Sequence, residues 1–116
     1  MNNAEVVNTT SKYIVKSTGK GSEKNQELVD ANKLTEGTDG SLVSLIECYY
    51  VIESIGSTAG KLTISIDSES SPLTLTNSGK YGLRPEQLKF GNDKIFKLTT
   101  DSNVRSYLLV TEFRRN

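Results

Sequence analysis

The 116 residues carry 14 basic and 14 acidic side chains, no histidine and no tryptophan, and only 34% are apolar. This length suits one domain around one core, and so lean an apolar share leaves room for subunit contacts to supply part of the stability. Zero net charge argues against a nucleic-acid partner, which needs a concentrated basic surface, and one cysteine excludes an intrachain disulfide.

Residues 1–11 are polar and Asn/Thr-rich, and are expected to form a flexible N-terminal arm that orders on a partner. Residues 12–116 are expected to form a single β-sandwich domain. The opening Met-Asn-Asn-Ala-Glu lacks the basic and apolar regions of a secretory signal, and no apolar run is long enough to span a bilayer. A cytoplasmic origin and no membrane partner are therefore expected. Asn8-Thr9-Thr10 matches a glycosylation acceptor, which carries no meaning without such a signal.

Lys12 to Ser17 reads as a short strand ended by Gly19-Lys20-Gly21. A phosphate-binding loop would need glycine at position 14 and Ser or Thr at 21, where the chain has Ile14 and Gly21, so Gly19 to Ser22 reads as a flexible turn. Residues 26–34 suggest a short strand followed by a turn, and 35–41 a Gly/Thr/Asp-rich loop. Lys61 to Asp67 alternates without fault: Leu62, Ile64 and Ile66 point one way and polar residues the other, as in a strand with one wet face. Leu73 to Thr76 repeats the pattern after Pro72. Leu83 to Leu88 offers the one helix start, with Pro85 at its first position, and is long enough for one helical turn. Gly91-Asn92-Asp93-Lys94 reads as a tight turn between strands at 88–90 and 95–98, and Asp101 to Asn103 precedes a closing strand from Val104 to Phe113. Many short strands with no long helix predict an all-β fold, an antiparallel β-sandwich resembling a jelly roll.

Two strands break the wet-face rule. In Leu42 to Ile55 both the even positions (Leu42, Ile46, Cys48, Tyr50, Ile52) and the odd ones (Val43, Leu45, Tyr49, Val51) are apolar. In the last strand Tyr107, Leu109 and Phe113 face one way, and Val104, Leu108 and Val110 the other. A strand apolar on both faces must be covered on both. The cover is either a loop or short helix of the same chain, or a subunit interface built from Tyr49, Val51, Leu108 and Val110. Arg114 and Arg115 add either a solvated end or an anchor for an acidic partner.

Catalytic chemistry finds little support. Without histidine the usual serine, cysteine and zinc arrangements are missing, and Cys48 lies in an apolar run where a small buried hydrophobe fits best. Glu47 and Glu53 lie roughly 20 Å apart along a straight strand, whereas paired glycosidase carboxylates need roughly 5 to 9.5 Å. A cross-strand pair such as Glu47 with Glu112 stays open. Asp67-Ser68-Glu69-Ser70-Ser71 offers calcium-type oxygens but no EF-hand spacing, and a polar connection fits it better. No cofactor and no metal site is expected. Tyr13, Tyr49, Tyr50, Tyr81 and Tyr107 suit packing better than sugar stacking.

Tyr49-Tyr50-Val51-Ile52-Glu53-Ser54, running on into Gly56-Ser57-Thr58-Ala59-Gly60-Lys61-Leu62-Thr63-Ile64, and the closing Tyr107 to Asn116 together resemble small virion structural proteins of tailed bacteriophages, the head-decoration (cement) and fibre-knob group. The likeness covers residues 41–116 and rests on style, with no invariant motif. It implies an all-β, non-enzymatic bacteriophage structural protein, a homotrimer located in the virion after synthesis in the host cytoplasm, that decorates or stabilises the capsid through contacts with the major capsid protein or another virion protein. The alternative it leaves is a receptor- or glycan-binding β-domain of a fibre or tail knob, with loop tyrosines such as Tyr81 taking part.

Overall fold

The structure, a computed structural model, describes residues 1–33, 42–82 and 92–115. Among them the strands are β1 Asn2–Asn8, β2 Lys12–Lys20, β3 Gln26–Asp30, β4 Val43–Ser54, β5 Lys61–Ser65, β6 Leu73–Thr76, β7 Ser78–Tyr81, β8 Asn92–Asp93, β9 Ile95–Thr100 and β10 Val104–Arg115, with one 3₁₀ turn at Ala31–Lys33. The expected helical turn at 83–88, the strand at 88–90 and the loop at 35–41 lie outside the described residues.

The pairing is wholly antiparallel and nested. β5 pairs with β6, β4 with β7, β3 with β9 and β2 with β10, as rungs of one long hairpin. Successive rungs fall alternately in two sheets, of order β1-β2-β10-β4-β7 (with β8 also on β4) and β3-β9-β5-β6. A long hairpin rolled so that its rungs alternate between two layers is a jelly roll. The all-β sandwich expected from the alternation is present.

The inner faces meet in one core. Phe96 of β9 and Phe113 of β10 are fully buried and meet edge-on across the layers, ring centroids 5.0 Å apart at 65°, worth about 1 kcal/mol beyond the area they bury. Leu62, Ile64 and Leu98 from one sheet and Val15, Leu109 and Val43 from the other complete it. Within this core Thr111 Oγ1 has no hydrogen-bond partner among the described residues.

Several boundaries differ from expectation for identifiable reasons. Residues 2–8, expected to be an arm, run along β2 as an edge strand. Polar side chains suit an edge: Asn3 accepts from Ser17 Oγ at 2.6 Å and donates to the Glu27 carbonyl at 3.1 Å, tying β1 to both sheets. A bulge between Glu5 and Val7 turns Val6 outward, the sort of irregularity that blunts an exposed edge. β2 continues through Gly19, where a Cβ would run into the Glu23 carboxylate and the Tyr107 ring; Gly21, at φ 73°, makes the turn. Gly19 is therefore a packing glycine, not a strand terminator. β7 (Ser-Gly-Lys-Tyr) has no apolar alternation, and pairing with β4 alone makes it a strand. Asn92 and Asp93, expected in a hairpin turn, instead pair with Ser44 and Val43.

The two doubly apolar strands are partly products of bulges. Opposite Glu112–Phe113, β4 takes one extra residue, because Glu112 faces Glu47 while Phe113 faces Leu45. The phase of burial switches there: Val43 and Leu45 point inward on one side, Cys48 and Ile52 on the other. A second irregularity, between Val104 and Ser106, buries Val104 completely. Val43, Leu45 and Val104 thus belong to the core, contrary to the expected grouping with Tyr49, Val51, Leu108 and Val110.

Urea unfolding should separate these roles. Thr111→Val, which removes a buried unbonded hydroxyl and keeps its shape, is expected to raise stability by about 1 kcal/mol. Phe113→Ala should cost about 3–5 kcal/mol.

Candidate functional site

The outer face of the six-stranded sheet carries what the bulges leave behind. The ladder between β4 and β10 sets Tyr49 opposite Val110 and Val51 opposite Leu108, a two-by-two apolar block in the middle of the face. Tyr49 is 41%, Val51 50% and Leu108 36% exposed, and Val110 is half-buried. Solvent-exposed side chains of this kind in direct cross-strand contact are apolar surface held in one place, and they resemble the anchor of an interface.

Charge surrounds the block. Lys80 of β7 sits over the Tyr49 ring, 4.5 Å from its centroid. By register Lys16 lies beside Val110, and Glu47 and Glu53 on β4 and Glu112 and Arg114 on β10 lie along the same two strands beyond the block. Among the described residues no ion pair involves any of them. Arg115 is different: it is buried, and its guanidinium donates to Asn8 Oδ1 at 3.0 Å and to the Thr9 carbonyl at 2.8 Å. It clamps the turn between β1 and β2 and is withdrawn from the exposed face that the other five candidates share.

The cross-strand carboxylates do meet. Glu47 and Glu112 are direct partners in the ladder and both are half-buried. Like charges directly opposite each other destabilise a sheet. A cleft of about 350 Å³ is lined by Ser11, Lys12, Ile46, Glu112 and Arg114, without Glu47. As direct ladder partners the two glutamates form an electrostatic feature of this face.

Cys48 is fully buried on the inner face, where burial pushes its thiol up to about 12. It packs as a small hydrophobe. Tyr107 is also directed inward: its hydroxyl donates to Glu23 Oε1 at 2.8 Å, and the Met1 amino group pairs with Glu23 Oε2 at 2.5 Å. Burial first, then this carboxylate, push the tyrosine hydroxyl upward. The oxygen-rich segment at 67–71 is held from β8, as Asp93 accepts the Ser68 amide at 3.0 Å and that of Lys94 at 2.7 Å. Burial alone would raise the Asp93 carboxyl, but these donors, with the Asp67 amide, outweigh it and hold the pKa below 3.8. No group of three potential metal-ligating side chains occurs among the described residues.

A second concavity lies on the open side of the roll. Here the edge strands β1 and β3 approach, linked by the Asn3 amide, and enclose about 310 Å³ between the two sheets. Leu28 and Val29 form part of the lining, with Tyr13, Glu5, Glu27, Asp30 and Lys33 around them. Burial, then the Glu5 charge, raise the Tyr13 hydroxyl. Sequence reasoning passed over this cleft, because its carboxylates come from two strands far apart in sequence, Glu5 on β1 and Glu27 and Asp30 on β3. Tyr13 was the one lining residue with a ligand-type signal.

No protein-family model, no curated protein and no solved structure matches the chain.

Two electrostatic consequences are measurable. Glu47→Gln should stabilise the fold by about 0.2–1 kcal/mol by removing one of two opposed like charges, read as a raised urea midpoint at neutral pH. Asp93 has a depressed folded-state pKa, so its contribution is present above its unfolded value near 3.8 and lost as pH falls through the lower folded value. Asp93→Asn should therefore flatten the loss of stability below pH ~3.8, followed by melting temperature.

Proposed function

We propose that the chain is a non-enzymatic structural protein of a bacteriophage virion, a head-decoration or cement protein that stabilises the capsid through protein–protein contacts. The observation that carries this is the outer face of the six-stranded sheet. Tyr49, Val51, Leu108 and Val110 form an exposed apolar centre, and Lys16, Lys80, Glu47, Glu112 and Arg114 surround it without ion pairs among the described residues. An apolar, aromatic centre within a polar rim is the usual anatomy of a specific protein interface. Jelly rolls serve viral capsid and lectin domains, a fold-level analogy that favours a building or binding role without choosing between them.

In this proposal the partners are further copies of the chain, as a homotrimer, and the major capsid protein or another virion protein; Arg114 acts at the rim, and the protein resides in the virion. A second reading, a receptor- or glycan-binding domain of a fibre or knob, is favoured by a different observation, the polar cleft between β1 and β3.

Assembly is tested by placing a charge in the apolar centre. Tyr49→Asp and Val51→Asp are expected to leave circular dichroism and urea midpoint close to wild type, and to abolish oligomerisation in sedimentation and co-purification with particles. Loss of a central interface anchor should weaken association by about 2 kcal/mol or more. A wild-type chain that sediments as a monomer and stays off purified particles would overturn the proposal. So would unfolding of both variants, which would assign this face to the intrachain core.

A further inference from the structure

The cleft between β1 and β3 has the chemistry of a ligand site, and its contents narrow the ligand. Its volume, about 310 Å³, lies at the lower end of the range of small-molecule pockets. Three carboxylates line it from two strands: Glu5 from β1, and Glu27 and Asp30 from β3. Each has one oxygen fixed by the protein. Asn8 Nδ2 donates to Glu5 Oε1 at 2.9 Å, Lys33 Nζ holds Glu27 Oε1 at 3.0 Å, and the Asn32 amide donates to Asp30 Oδ1 at 2.9 Å.

The second oxygens are differently placed. No hydrogen bond from a described residue reaches Glu5 Oε2 or Glu27 Oε2. The Asp30 side chain is only 10% exposed, yet the nearest cation to its Oδ2, Lys33 Nζ, stands at 4.0 Å, beyond hydrogen-bond range. Each of the three carboxylates keeps one oxygen without a close donor among the described residues. The site thus offers several acceptors, each already oriented, and orienting them beforehand lowers the entropy cost of binding.

Three properties select among ligands that could donate to them. Three carboxylates against one exposed lysine disfavour an anion. No group of three acidic, His or Cys side chains that could hold a metal ion occurs among the described residues. Tyr13 adds a half-buried ring, backed by Phe113 at a centroid distance of 6.4 Å, that gives the void a firm amphipathic wall. A ligand with many hydroxyl donors, no negative charge and a carbon face to lay on an aromatic ring is a neutral saccharide.

We propose that this cleft binds one unit of a neutral saccharide, its hydroxyls donating to Glu5, Glu27 and Asp30 and its ring lying against Tyr13. The proposal rests on the receptor- or glycan-binding reading of the cleft and is independent of assembly through the outer sheet face. It also places recognition at Tyr13, not at Tyr81.

Saturation-transfer and ¹H–¹⁵N NMR of the full chain with lactose, maltose and chitobiose separately provide the test. At least one disaccharide should receive saturation, with amide shifts confined to residues 3–8, 13 and 27–33. Asp30→Asn and Glu5→Ala should each weaken binding roughly tenfold, the cost of one charge-assisted hydrogen bond. Tyr49→Asp, which probes assembly, should bind as wild type, so loss of binding and loss of assembly are told apart. Transfer to none of the three sugars, shifts centred elsewhere, or unaltered affinity in both folded variants would overturn the proposal. It would equally be overturned if magnesium or calcium alone shifted these amides while the sugars did not, because the site would then be a cation site.

Discussion

The ladder between β4 and β10 is the constraint from which the rest of the molecule follows. Both are twelve residues long and both are central in their sheet, with β10 also paired along β2. Once their register is fixed, period two dictates which residues enter the core and which face out. The extra residue in β4 opposite Glu112–Phe113 makes this possible. Without it Val43 and Leu45 would lie on the face of Tyr49 and Val51, and a single strand could not feed the core at both ends. The same register places Tyr49 on Val110 and Val51 on Leu108, and opposes two glutamates.

These features tie packing to surface chemistry. The bulge that completes the core is also what confines the exposed apolar residues to a compact block instead of a stripe along the whole strand. The opposed Glu47 and Glu112 stand at the border of that block, where their repulsion works against the free chain. On the far edge, Asn3 and Arg115 hold β1 against the body of the roll from its two ends, and in doing so shape the cleft it shares with β3.

What was legible in the sequence was whatever depends on local alternation. Leu62-Ile64-Ile66 and Leu73-Leu75 declared their strands, and the lack of a long helix pointed to a sandwich. Cys48 read as buried because its neighbours are apolar. Signals that depend on distant partners were hidden. A bulge has no residue signature of its own, so Val43, Leu45 and Val104 were grouped with the wrong face. Gly19 reads as a stop until the Tyr107 ring is seen above it, and Ser78 to Tyr81 is a strand only because β4 lies alongside. That Tyr49, Val51, Leu108 and Val110 share an outer face is legible because both strands alternate cleanly through them; the burial of Arg115 is not, because its partners are Asn8 and Thr9, nearly the whole chain away. The cleft was invisible for the same reason, since its acceptors meet only when the two sheets close.

The nested pairing has a kinetic meaning. The innermost rung, β5 with β6, closes over a short connection, but each rung outside it joins segments farther apart, until β2 meets β10 across almost the entire chain. Loop-closure entropy rises with each step, and folding slows as contacts become less local. Much of the buried surface belongs to the outermost rung, because Phe113 and Leu109 lie on β10. If the local rungs form first, the C-terminal strand closes the roll last, and in the folded chain it covers the β4 edge that would otherwise be open to a neighbouring strand.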